Sequence, residues 1–233
     1  MLRLILISFF AFISISPASP HFWMVQEEFH AVSNQEITDW QKSSPNLLSD
    51  FNFGSDQDCL ERNENSISIV DCQNRIEGVK WRSGETWKVR EAISADLNRD
   101  GRNELIMVVW RPFKPWPIDS VMPHSGRINE FHDNRGNSCH LILVGWDGHE
   151  YRELWAGSSL IDPVFNIRAA DLDADGNLEL VAIEGRYDSL NKTGNLTVWD
   201  WNGFGFRLRD RVKGSFSDYG IVSTNQSVLI LSN

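Results

Sequence analysis

Basic residues are in short supply in this chain of 233: 22 Lys and Arg stand against 32 Asp and Glu, a formal net charge of −10. With no local basic cluster to offset that balance, a protein that tracks nucleic-acid phosphates is excluded. Long apolar runs are scarce too. Residues 4–15 form one, shorter than the ~20 apolar residues of a membrane span, and no second segment competes with it. Cysteine and tyrosine occur three times each. The cysteines fit an oxidising compartment only in part. Cys59 and Cys72 flank a short polar loop and strand and form a candidate disulfide, while Cys139 is left over and reads as a buried thiol in the run Cys139–Val144. A Gly-x-Ser-x-Gly elbow, a phosphate-cradling P-loop and a Cys-x-x-Cys pair are all missing, which removes the plainest sequence signs of a hydrolase, a nucleotide enzyme or a redox enzyme. What remains is 41% hydrophobic and 23% charged, with ten Trp and thirteen Phe. That is the composition of a folded acidic protein with ample core, suited to cations or neutral ligands.

The first twenty residues stand apart. Arg3 precedes an apolar stretch from Leu4 to Ile15 broken only by Ser8 and Ser14, and Pro17-Ala18-Ser19-Pro20 ends it. A charged start, an apolar middle and a small-residue boundary make a secretory signal peptide. Ser16-x-Ala18 predicts removal of residues 1–18 and a secreted, periplasmic or cell-surface protein; an uncleaved anchor is the rival, since Pro20 lies close to the cut. Asn-x-Ser/Thr sites at Asn191, Asn195 and Asn225 matter only in a glycosylating host.

An internal repeat organises the rest. The stretch Ile93–Leu105 and the stretch Arg168–Leu180 superimpose their acidic positions and their glycine at an offset of 75 residues. Each is followed by an apolar, β-branched run, a connector, a second apolar run ending in Asp147-Gly148 or Asn202-Gly203, and a final strand-like run. Those dipeptides predict tight two-residue hairpin turns with both central residues at positive φ. One repeat is thus four antiparallel strands, about 88–157 in the first copy and 165–214 in the second, with half units at 67–82 and 218–233. The predicted fold is all-β: a β-propeller or partial propeller built from four-stranded antiparallel blades. Residues 19–66 hold a degenerate blade, or the half units at 67–82 and 218–233 join into one blade that closes the ring; an incomplete ring finished by another subunit is the third option.

The acidic loops carry the specific chemistry. Ca²⁺ takes six to eight oxygen ligands, and Asp-x-Asp/Asn-x-Asp-Gly-x-x-Glu offers them from positions 1, 3, 5 and 9 and from the position 7 carbonyl. In the first loop these are Asp96, Asn98, Asp100, Arg102 and Glu104; in the second they are Asp171, Asp173, Asp175, Asn177 and Glu179. An EF-hand needs a Glu at position 12. Met107 and Ala182 stand there, inside hydrophobic runs, so an EF-hand is excluded. The second loop has four carboxylates and no base beside it in sequence, whereas Arg99 and Arg102 interrupt the first, which predicts weaker binding at the first loop.

These segments resemble FG-GAP or VCBS repeats, the calcium-loop blades of integrin-type propellers and many exported bacterial proteins. The resemblance covers Arg90–Gly157 and Asn166–Gly214, and departs from the family in having Glu104 and Glu179 where Asp is commoner. It implies a propeller with structural Ca²⁺ between the first two strands of a blade.

Elsewhere the signals are sparser. The connector 111–138 begins Trp110-Arg111-Pro112-Phe113-Lys114-Pro115-Trp116-Pro117. Rigid aromatics such as Trp110, Phe113 and Trp116 suit a sugar or a peptide, or else cap the protein's own core. His124, His132, His140 and His149 lack the short paired spacing of a zinc site. Glu130 and Asp133 are candidates for acid–base work. The sequence thus points to an exported calcium-binding module that contacts a carbohydrate or protein. A polysaccharide-active hydrolase or lyase is one alternative, and a subunit completing a propeller in a homo- or hetero-oligomer is the other.

Overall fold

The computed structural model describes residues 21–25, 29–32, 41–42, 58–114, 131–188, 192–223 and 228–232. Among these residues every regular element is a strand, and all pairings are antiparallel. No helix of the described residues is long and apolar enough to cross a membrane. The first sheet comprises β4 (Asp58–Asn63), β5 (Ser66–Asp71) and β6 (Val79–Arg82) in that order. The second comprises β7 (Lys88–Ala95), β8 (Glu104–Pro112), β9 (Asn137–Trp146) and β10 (Tyr151–Ala156) as a meander. The third repeats that meander with β11 (Val164–Ala170), β12 (Glu179–Glu184), β13 (Gly194–Trp201) and β14 (Phe206–Phe216).

The fourth sheet draws on both ends of the chain. β1 (His21–Val25), β2 (Phe29–Val32), β3 (Gln41–Lys42), β15 (Tyr219–Ser223) and β16 (Val228–Ser232) lie in the order β2-β1-β16-β15-β3. The C-terminal half unit therefore pairs with the segment just after the apolar run 4–15, His21 opposite Ser232. The other half unit, β5 and β6, pairs instead with β4.

The middle strands β8 and β12 are continuous apolar runs because both faces of the second and third sheets are covered. In β8, Leu105, Met107 and Val109 pack with Ile67 and Ile69 of the first sheet, while Ile106 and Val108 pack with Val164, Leu180 and Ala182 of the third. In β12, Leu180 and Ala182 face the second sheet, and Val181 and Ile183 face Tyr219 and Ile221. Side chains this deeply buried stabilise the fold by about 1.5–3 kcal/mol each. The sheets thus stack face to face in chain order.

Aromatic and polar locks join neighbouring sheets. Trp155 of β10 meets Trp201 and Phe206 edge-on at 5.6 and 5.5 Å. The Tyr151 hydroxyl donates to Asp58, whose other oxygen lies 2.6 Å from Lys80 Nζ. Cys59 and Cys72 are joined by a disulfide across the edge of β4 and β5, with Cα atoms 5.1 Å apart. Cys139 is free and fully buried.

The hairpin turns sit one residue later than the sequence suggests. Asp147 N–H donates to the Glu150 carbonyl at 3.1 Å and Asn202 N–H to that of Gly205 at 3.0 Å, so the central residues are Gly148-His149 and Gly203-Phe204. Only the glycines take positive φ, 108° and 89°. Asp147 and Asn202 act instead through their side chains: Oδ1 of each accepts the next two free amides, at 2.9–3.0 Å.

Candidate functional site

Each acidic loop is held between an inner strand and its neighbour. Asp96 follows the last residue of β7 and Glu104 opens β8; Asp171 and Glu179 stand likewise between β11 and β12. The second loop residue plugs the core in both copies, Leu97 at 0% and Leu172 at 3% exposure. That anchor turns the residues on either side of it outward to form the acidic ring.

The two loops share their backbone-to-carboxylate bonds at the first, third and fifth positions. Asp96 Oδ1 and Oδ2 accept the amides of Asp100 and Gly101 at 3.1 and 2.9 Å, and Asp171 accepts those of Asp175 and Gly176 at 3.1 and 3.0 Å. Asn98 and Asp173 each add a second acceptor to the position 5 amide. Asp100 accepts from Arg102 N–H at 3.0 Å and Asp175 from Asn177 N–H at 2.7 Å. The chain turns at Arg99 and Ala174 (φ 66° and 61°) and then at Gly101 and Gly176 (φ 86° and 87°). A side chain at either glycine would be strained.

These turns gather carboxylates that repel one another. Oxygens of Asp96, Asp100 and Glu104 lie within 4.8 Å of each other, as do those of Asp171, Asp173 and Glu179. Both glutamates are 1% exposed. Burial, then Asp100 and Asp96, raise the Glu104 carboxyl to about 8, with the backbone amides of Asn98 and Leu97 opposing. Glu104 Oε2 is buried and meets no hydrogen-bond donor. A buried carboxylate oxygen left unmatched among other carboxylates is costly unless a proton or a cation answers it. The donor set fits a hard cation, all oxygen and mostly charged. Among the described residues no histidine joins such a group.

The second loop is answered from within the chain. Arg209 of β14 lies 2.8 Å from Asp173 Oδ2 and 3.7 Å from both Glu179 Oε1 and Asp200 Oδ1. Glu179 Oε2 also accepts the Leu172 amide at 2.9 Å. Burial still raises Glu179, to about 7, with Arg209 opposing. The expectation that this loop has no base near it is therefore corrected, since the base comes from the fourth strand of its own sheet. In the first loop, conversely, Arg102 turns away to the Trp146 carbonyl at 3.5 Å, and neither Arg99 nor Arg102 relieves Glu104.

The candidate aromatics do not form one platform. Trp110 packs against the core between the second and third sheets, stacked on Phe165 at 6.2 Å and edge-on to Tyr187 at 5.4 Å. Its indole N–H is buried without an acceptor. Phe113 lies 5.3 Å from the His132 ring. Trp116, like Glu130 and His124, falls outside the described residues. Asp133 caps its own turn, accepting from Arg135 and Asn137 amides at 2.9 and 2.8 Å. His140 is buried against Ser138 and the Gly157 carbonyl. Trp110, Asp133, Arg186 and Tyr187 line two adjoining hollows of about 430 and 740 Å³ at the connector end of the sheets, which sequence reasoning did not find.

Compared with known proteins, the chain matches no protein-family model and no curated protein.

Proposed function

We propose that this protein is an exported β-propeller-like binding module whose blades are pinned by calcium at their acidic loops. The observation that carries the reading is Glu104 Oε2, buried and unanswered beside Asp96 and Asp100. Asp96, Asn98, Asp100 and Glu104 would hold the ion in the first loop, and Asp171, Asp173, Asp175 and Glu179 in the second, with the Arg102 and Asn177 carbonyls completing the sets. Bound Ca²⁺ supplies positive charge that joins the end of one strand to the start of the next. The chain's own residues do the rest: Leu97 and Leu172 anchor the loops, and the loop amides hold the carboxylates in place.

The propeller reading draws support from the stacking of sheets in chain order, and from β15, β16, β1 and β2 forming a four-stranded run out of both chain ends. The partner, a carbohydrate or a protein, would meet the connector end, where Trp110, Asp133, Arg186 and Tyr187 line the hollows. The deciding experiment is a calorimetric Ca²⁺ titration of the chelator-stripped chain. Binding at the ~10⁻⁴–10⁻³ M typical of extracellular modules, lost from the first loop in Glu104→Gln, supports the reading. No heat at millimolar Ca²⁺ rejects it.

A further inference from the structure

We propose that Arg209 is a built-in cation for the second acidic loop, so that two loops of one backbone differ in kind: the first is open to a metal ion, and the second admits one only by turning out a guanidinium. The inference rests on the calcium reading above and goes beyond it, and it reverses the order of affinities that Arg99 and Arg102 in the first loop suggest from sequence.

The difference is written in the third and fourth strands. Counted from the matching pairs Trp146–Tyr151 and Trp201–Phe206, the two ladders run in step and break at the same place, between Glu153 and Trp155 in one and opposite Val198 and Trp199 in the other. The extra residue at each break is Leu154 in β10 and Arg209 in β14. A bulge re-aims its side chain, and here both point back toward the glutamate that opens the second strand. Arg209 reaches Glu179 and Asp173. Leu154 lies over Gly145, where an added Cβ would stand 2.6 Å from Leu154 Cδ1 and 3.3 Å from Glu104 Cγ. Gly145 itself matches Asp200, the other carboxylate beside Arg209. The second repeat thus carries an Asp and an Arg where the first carries a Gly and a Leu, and among the described residues no basic side chain pairs with Glu104 as Arg209 pairs with Glu179.

Displacement has a ready route. Arg209 already lies 3.7 Å from Asp200 Oδ1, so a metal ion entering between Asp171, Asp173 and Glu179 would leave the guanidinium a carboxylate to keep. Ion entry there must overcome a like charge held 2.8 Å from a ligand, a penalty absent from the first loop.

The test is a Ca²⁺ titration of the stripped full chain and of Arg209→Leu and Arg209→Gln, with Asp96→Asn and Asp171→Asn assigning each binding event to its loop. The expected result is a tighter event lost in Asp96→Asn and a weaker one lost in Asp171→Asn, the weaker tightening by about tenfold or more in both Arg209 variants. Two equally tight events, unmoved by Arg209 replacement, would overturn the inference and leave calcium binding intact. No binding in any chain would remove the calcium reading itself. If both Arg209 variants unfold, the side-chain Nε–Hε resonance of Arg209 in the parent chain decides. A shift as the Asp171-dependent event saturates supports displacement, and a resonance that stays put overturns it.

Discussion

The Glu91 carboxylate accepts the backbone amide of Asn166 at 2.7 Å, and Asn166 occupies in its own repeat the position that Glu91 holds in the one before. The other oxygen takes Ile167 N–H, also at 2.7 Å. The register of β11 against β12 breaks at these two residues, freeing their amides from the ladder, so a side chain of the preceding sheet satisfies them. From the other side, the Tyr219 hydroxyl of the fourth sheet donates to the Asn166 carbonyl at 2.6 Å.

Replacing Glu91 by Ala strands two amides at the junction of the second and third sheets. Charge-assisted bonds of this kind carry about 1.5–3 kcal/mol each. Glu91→Ala is expected to lower the unfolding free energy by about 2–4 kcal/mol, measured by urea denaturation. Glu91→Gln, which keeps one acceptor, should recover part of the loss; equal stability of all three chains would contradict this role.

The hydrocarbon wall beside Glu104 makes a second prediction. Gly145→Ala places a methyl group 2.6 Å from Leu154 Cδ1 and should cost about 1–2 kcal/mol through overpacking. Leu154→Ala in the same chain removes the clash, so the pair should be less destabilised than the sum of its parts. Strict additivity in a double-mutant cycle would show that the two positions do not touch.

His140 gives a pH dependence with a definite sign. Burial, with Arg111 adding to it and the Gly157 carbonyl opposing, lowers the imidazole from 6.5 to about 4. The unfolded chain therefore takes up a proton near pH 6.5 that the folded chain refuses until about pH 4. Stability tied to neutral His140 is full above pH 6.5 and is lost as pH falls through that window, on the order of 3 kcal/mol in all. His140→Gln lacks this loss, so the two stability curves should converge or cross between pH 7 and pH 4. Parallel curves would count against a neutral buried imidazole.

The thiols should sort by position. The Cys59–Cys72 bridge closes a short loop with a sequence separation of 13 and should contribute about 3 kcal/mol, seen as a lower melting temperature in reductant. Cys139 is fully buried, and burial holds its thiol up near about 12, so a thiol reagent should reach it only on unfolding. Prompt labelling of Cys139 in the folded chain would show that its strand opens readily.

What the sequence reveals here depends on how local the physics is. The acidic loops are legible because an oxygen-loving ion demands fixed residue types at fixed spacing, and Asp96 through Glu104 present them in a single turn. The strand runs are legible because Leu105–Val109 and Leu180–Ile183 are buried on both faces. The hairpin turns are read one residue early, since Asp147-Gly148 suits either position and the choice lies with the Asp147 side chain. Arg209 is invisible to spacing, because only the bulge in β14 carries it back to Asp173. The pairing of His21 with Ser232 leaves no local trace, as each strand alone is a short apolar run with an edge to fill.

That last pairing sets an order of events. A chain made from its N-terminus delivers β1 well before β16, so the edge of β1 that β16 covers must wait until β16 has been made. During the wait it presents bare amides and carbonyls to any passing strand, the usual beginning of aggregation. Completion would then arrive late and all at once, like a drawstring pulled tight. Losing β16 should be as damaging as losing β1, since each pairs with the other along that edge.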